Sequence, residues 1–336
     1  IELRHFKRIQ TENNSLMRSF KKITNKKAIT KDRIKVDVMC NLELSEEVKL
    51  LNDSSDGVGL FRTEYLYMNR DDTPTEHEQY QAYSKVFKKV NGKPVTLRTL
   101  DIGSDKEVSE NMKVGQIAKN PALGMRGIRY SLYEKNLFKI QIKAMLRAAK
   151  NGKLRILIPM ITTLDEINKA KDLIDEAKTE LIKEKKSFNP RYEVGIMIEV
   201  PASAIQSNVL SKNVDFMSIG TNDLVQYILA IDRVDDEVTS LYDPTNPAVL
   251  QLIKQVIGTC NRSRIDITVC GEMAGEKMYT KLLLGLGLTS FSMHPQAIPE
   301  IKNIIMETNT KALKTKINTI LRCNDYHKRL EIIQSL

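Results

Sequence analysis

The sequence predicts an α/β chain closed as an eight-stranded parallel (β/α)8 barrel, and three observations predict it. Strand-like and helix-like stretches alternate through most of the 336 residues, as in βα units wound into a parallel sheet. Several strand candidates are nearly continuous apolar runs, such as Val194–Ile198, which suit strands buried on both faces. There are eight such candidates, the number that closes a parallel barrel, and no repeat, low-complexity tract or Gly/Ser linker divides residues 34–308.

The segment 1–30 sets Leu3, Phe6, Leu16, Met17, Phe20 and Ile23 among basic residues and reads as an amphipathic helical linker ahead of a barrel domain at 31–336. The strand candidates are Lys35–Leu42, Gly57–Phe61, Val95–Leu100, Leu154–Met160, Val194–Val200, Asp215–Ile219, Ile267–Cys270 and Ser290–Met293. Between them, Thr75-x-x-Glu78 and Thr163-x-x-Glu166 are capping boxes, in which hydroxyl and carboxylate satisfy orphan amides at a helix start. The second opens a stretch with Leu164, Ile167, Ala170, Ile174, Ala177 and Leu181 at helical spacing. Further helices are expected from about Pro247 and from near Gly275, and two short ones after residue 309 should pack on the outside.

Composition narrows the function classes. The net charge is +10, and residues 1–32 carry nine Lys/Arg against three Asp/Glu. No aromatic residues alternate with those charges and no groove-reading motif appears, so a solvated linker is favoured over a nucleic-acid arm. No apolar stretch approaches the roughly 18 residues of a membrane span. Four scattered cysteines without CxxC spacing imply neither a disulfide framework nor a zinc site, and a reducing cytoplasm is the simple reading. The chain opens Ile1-Glu2-Leu3-Arg4, which reads as part of a longer protein.

In a parallel barrel the carboxyl ends of the strands face one shared mouth. Glu199 ends the fifth strand candidate, and Asp223 closes Gly220-Thr221-Asn222-Asp223 after the sixth. Two carboxylates so placed suit a hard divalent cation such as magnesium. The other ends supply Arg62, Arg98, Lys106, Arg126, Asn222, Arg233 and Cys270. Arginine pairs two phosphate oxygens at once and keeps its charge, and phosphoryl transfer asks the protein mainly for positioning and electrostatics. A metal held by the carboxylates stabilises an enolate, and a thiol can protonate its carbon. Bland alternatives stand beside each assignment. Arg62 has Glu64 nearby and Arg98 has Asp101 nearby for structural ion pairs; Glu199 and Asp223 could be capping or ion-pair carboxylates; Cys270 alone suits a buried apolar site, and Arg129 reads as structural. The four histidines show no spacing that suggests chemistry.

Six strings in order carry a resemblance: Gly59–Glu64, Arg98–Lys106, Asn120–Arg126, Ile198–Ala202, Gly220–Leu224 and Cys270–Gly275. From about residue 30 the chain resembles the C-terminal domain of enzyme I of the bacterial phosphoenolpyruvate-dependent sugar phosphotransferase system. The next relatives, pyruvate phosphate dikinase and phosphoenolpyruvate synthase, share the barrel; Asp101–Lys106 and Phe291-Ser292-Met293 look more like enzyme I. The resemblance implies a barrel that binds phosphoenolpyruvate with Mg2+ and forms a homodimer. By motif, Arg62, Arg98 and Arg233 match phosphate-binding arginines, with Lys106 and Arg126 in the same site. Glu199 and Asp223 match the metal ligands, Asn222 a substrate-binding position, and Cys270 the proton donor to the pyruvate methyl carbon.

The implied reaction moves phosphate to a histidine of an N-terminal domain, then to the histidine phosphocarrier protein. The Gly/Thr/Ser-His segment that carries that histidine does not occur in this sequence, so the chain is expected to bind substrate without holding the acceptor. Ser104, where a Gly is usual, and His294-Pro295 after the last strand are smaller departures. A non-catalytic module sensing the phosphoenolpyruvate/pyruvate ratio, and the carboxyl half of a dikinase or synthase, are the alternatives.

Overall fold

The computed structural model describes residues 26–51, 54–102, 120–150 and 152–336. Its nine strands are β1 (Ala28–Ile29), β2 (Lys35–Leu42), β3 (Val58–Arg62), β4 (Pro94–Arg98), β5 (Lys153–Ile158), β6 (Tyr192–Ile198), β7 (Phe216–Ile219), β8 (Asp266–Val269) and β9 (Ser290–Met293). Strands β2 to β9 pair in parallel, each with the next in sequence. The pairing of β2 with β9, from Asp37 opposite Ser290 to Cys40 opposite Met293, closes them into the expected eight-stranded barrel. All eight strand candidates are present, two with identical bounds, one shifted by a residue at one end and five shifted by one or two residues at both ends.

One expectation changes. Of the segment read as a helical linker, residues 1–25 lie outside the described residues, and Ala28–Ile29 form a strand antiparallel to β2. Ala28 is buried there, and Lys31 N donates to Thr308 O at 2.8 Å, tying this end to the last helices.

Helices cover the outside. Glu76–Val90 starts with Thr75 Oγ1 accepting from Glu78 N at 3.2 Å and Glu78 Oε2 accepting from Thr75 N at 2.7 Å. Leu164–Lys183 starts the same way at Thr163 and Glu166. Its Ile167, Ala170, Ile174, Ala177 and Leu181 are buried, as their spacing requires. Pro247–Ser263 packs on β7 and β8, Lys277–Gly285 packs against Ile298–Glu307, and Thr310–Ile320 and Tyr326–Gln334 are the two outer helices. Their Leu313, Ile317, Ile320 and Ile333 join the core shared by barrel and helices. No helix among the described residues is long and apolar enough to cross a membrane.

Inward-facing residues of β3, β5, β6 and β7, with the residue that follows β8, build a second, separate cluster of Leu60, Leu157, Met197, Phe216 and Cys270 inside the barrel. Room for the Phe216 ring comes from Gly195 on the neighbouring strand, where a Cβ would lie 2.6 Å from it. Towards the amino ends of the strands, the Arg155 guanidinium stacks 4.0 Å above the same ring and pairs with Glu193 at 2.8 Å and Asp266 at 3.1 Å. The barrel is therefore packed through its middle.

Candidate active site at the barrel mouth

The carboxyl ends of the strands surround a cavity of about 290 Å³. Arg62, Arg98 and Arg126 line it together with Glu199, Asn222, Asp223, Arg233 and Cys270. Lys106 and Ser104 lie outside the described residues.

The arginines fall into two sets. Arg98 ends β4 with its side chain buried, donates from Nη2 to Glu64, and lies with Nη1 3.1 Å from Asp101 Oδ2. Burial opposes its charge, but Glu64 and Asp101 outweigh burial and the proton is held more tightly than usual. Arg126 forks onto Asp101, with Nε and Nη2 each 3.1 Å from a different carboxylate oxygen. Its Nη1 donates to Asp223 Oδ1 at 3.1 Å and to Tyr227 Oη at 3.3 Å. The next residue, Gly127, has φ +56, and a Cβ there would lie 2.8 Å from the Met160 side chain, so the loop approaches the barrel where only glycine fits. The outer set is Arg62 and Arg233. Arg62 pairs with Glu43 at 2.5 Å and not with Glu64, which turns to Arg98 instead. Arg233 is exposed, and its guanidinium makes no hydrogen bond or ion pair among the described residues. Arg129 holds the carbonyls of Leu123 and Gly124 at 3.0 and 3.1 Å, a structural role as expected.

Glu199 follows β6 and is fully buried. Its Oε1 accepts from Met160 N at 2.7 Å, whereas Oε2 is buried without a hydrogen bond. Gly220 keeps space beside that oxygen; a Cβ there would lie 2.9 Å from it. Burial, then the negative charges of Asp223 and Asp101, push the Glu199 carboxyl upward from its ordinary range. A carboxyl raised on folding costs stability once pH exceeds its unfolded value near 4.5, and the cost grows as pH rises through the folded value. Glu199→Gln is therefore expected to stabilise the metal-free chain by about 1–3 kcal/mol at pH 8 and by much less at pH 5. Urea denaturation at both pH values reads this; an equal effect at both would contradict it.

A hard cation fits this donor set. Magnesium keeps several waters and uses one or two carboxylates plus substrate oxygens, and an orphaned buried Glu199 oxygen near the Asp223 carboxylate offers such ligands. No group of three His, Cys, Asp or Glu suited to a metal occurs among the described residues.

Asn222 exchanges two hydrogen bonds with Glu272, Nδ2 donating to Oε1 at 2.8 Å and Glu272 N donating to Oδ1 at 2.9 Å. This pins the turn after β8, which presents Cys270. The thiol is buried, which raises its pKa and keeps it protonated at neutral pH. It is suited to give a proton. Four participants go beyond the sequence reading: Asp101 as the hinge between Arg98 and Arg126, Glu64 as the partner of Arg98, Tyr227, and Glu272. Asp101 stood out only as a neighbour of Arg98, because its fork with Arg126 spans 25 positions.

A family model described as PEP-utilising enzyme, PEP-binding domain, matches residues 17–310. The chain belongs to this family. Curated relatives agree. The phosphoenolpyruvate-protein phosphotransferase of Cupriavidus necator is 40% identical over 338 residues, covering 100% of this chain and 58% of its own. That of Priestia megaterium is 41% identical over 315 residues, covering 94% and 55%, and that of Mycoplasma capricolum 41% over 309 residues, covering 92% and 53%. The domain thus spans just over half the length of these relatives. A solved citrate lyase from Burkholderia xenovorans aligns over 91% of this chain and 93% of its own at 12% identity and TM-score 0.49, a likeness without weight for function.

Proposed function

We propose that this domain binds phosphoenolpyruvate with magnesium and releases its phosphoryl group to a histidine on a separate domain, leaving pyruvate. The observation that carries the reading is the division of one cavity into three chemistries: an outer pair of arginines of which Arg233 makes no ion pair among the described residues, a buried Glu199 oxygen without a hydrogen bond, and a buried protonated thiol. Arg62 and Arg233 take the phosphate oxygens, and Arg98, held rigid by Glu64 and Asp101, places its charge beside the same group. Arg126 fixes Asp223 in position for the substrate while Asn222 holds the rim. Glu199 and Asp223 would hold the magnesium, which supplies charge stabilisation for the enolate that forms as the phosphate–oxygen bond breaks. Cys270 then donates its proton to the enolate carbon, giving the pyruvate methyl group. Lys106 is assigned to the phosphate by resemblance alone.

The name these relatives share supports placing the domain in a phosphoenolpyruvate–protein phosphotransferase. In that setting the phosphate passes on to the histidine phosphocarrier protein for sugar uptake, and the protein works as a cytoplasmic homodimer. Incubating the chain with magnesium and phosphate-labelled phosphoenolpyruvate tests the division of labour. Saturable binding without acid-labile label on this chain is expected, with label on an added histidine domain and release of pyruvate. Acid-labile label on this chain alone would place the acceptor here and sink the proposal.

A further inference from the structure

We infer that Ser218 is a positioning residue for the Cys270 thiol, holding the sulfur at the floor of the cavity and stabilising the thiolate that remains after proton transfer. The inference rests on the proposed role of Cys270 as acid and extends it to a residue that the six motif matches leave without a role.

The geometry is specific. Ser218 lies on β7 two residues beyond Phe216, so its side chain faces the barrel interior, where it is 1% exposed. Its hydroxyl donates to Cys270 Sγ at 3.1 Å, the one side-chain hydrogen bond to that sulfur among the described residues. The thiol in turn donates to Ile219 O at 3.6 Å. The backbone around the thiol is fixed independently: Asn41 Nδ2 donates to Cys270 O at 3.0 Å, and Ser292 Oγ donates to Asn41 Oδ1 at 2.6 Å. Glycine follows at 271, where a Cβ would lie 2.0 Å from Thr221 Oγ1. With the backbone clamped, the sulfur's own position and charge are left to Ser218. Arg98 and Arg62 also favour a thiolate there and Glu199 opposes it, but these are charges at longer range.

When Cys270 acts as acid, its S–H bond breaks, the proton forms the new C–H bond of the pyruvate methyl, and the electron pair stays on sulfur. That sulfur is buried beside Leu60, Met197 and Phe216, where a thiolate is poorly solvated. A hydroxyl already aimed at it supplies the missing solvation at the moment the charge appears.

The test reads thiolate character directly, by methylthiolation of Cys270 with methyl methanethiosulfonate between pH 7.5 and 9, followed by mass spectrometry of the peptide carrying it. A hydrogen bond to a charged acceptor corresponds to about one pKa unit, so Ser218→Ala is expected to slow the reaction about tenfold throughout this range. Affinity for magnesium-loaded phosphoenolpyruvate should be unchanged, and Ser218→Thr, which keeps the hydroxyl, should recover most of the rate. A reactive thiol indifferent to residue 218, or an equal loss in the Thr variant, overturns the role of Ser218 alone. A Cys270 in the parent chain that never reacts is closed to the cavity, which overturns its role as acid and with it that of Ser218.

Discussion

Cys270→Ala is expected to lower pyruvate release by about 10²–10⁴-fold, the usual range for removing a general acid. Phosphoenolpyruvate affinity should stay at the parent value, because the thiol meets the reacting carbon and not the phosphate. The assay uses this chain with magnesium, phosphoenolpyruvate and a separately supplied histidine domain; turnover and binding are measured in parallel. The separation of the two parameters is the decisive point. A loss shared equally between turnover and affinity would mean that Cys270 merely fills space in the cluster of Leu60, Leu157, Met197 and Phe216. An undiminished rate would remove it from the chemistry altogether.

Arg126→Leu is expected to be the most damaging single change to stability. It removes the one ion pair that Asp223 makes among the described residues, leaves Asp101 to Arg98, and takes one of two nearby cations from the buried Glu199. Breaking a buried charge pair by removing one partner costs about 3–5 kcal/mol, because the remaining charges stay desolvated. The loss should shrink as pH falls and Glu199, whose carboxyl burial already pushes upward, takes up its proton, the opposite of what a simple packing defect would give. Urea denaturation at pH 7.5 and 5 separates the two. Phosphoenolpyruvate binding should also fail at pH 7.5, since Asp223 loses the donor that orients it. A variant as stable as the parent at pH 7.5 would show that the carboxylates find other partners and that Arg126 is not the centre of the network.

The legible part of this molecule was its periodicity. Runs such as Val194–Ile198 are apolar on both faces because one side packs inside the barrel and the other against helices, and such runs are read without knowing what they touch. The mouth followed, because the ends of parallel strands share a face whatever their order. Pairing within the mouth was not legible. Arg62 has Glu64 two positions away, yet adjacent strands and the turn after β3 carry Glu64 to Arg98 and leave Arg62 to Glu43. The short helical turn Thr63–Leu66 carries Glu64 off the strand, so proximity in sequence does not decide the pair. The hydroxyl of Ser218 was hidden for the same reason, since its partner lies 52 positions away. At the start of the chain, the apolar residues whose spacing suggested a helix lie outside the described residues; only its last part is seen, where Ala28–Ile29 pair with β2 and a sheet edge offers hydrogen bonds that an isolated segment cannot supply.

The seam between β2 and β9 has a consequence for how this protein is made. Residues Asp37 and Ser290 are neighbours in the finished ring but are separated by about 250 positions along the chain. At ordinary rates of synthesis, roughly 5–20 residues per second, the first barrel strand waits about 10–50 s on the ribosome for its last partner. During that interval β2 carries an unpaired edge, and its apolar residues Val36, Val38 and Cys40 lack the cover they later have. Nascent chains stalled just short of β9 should therefore be the species most dependent on chaperones, and release of the final strand the event that ends that dependence.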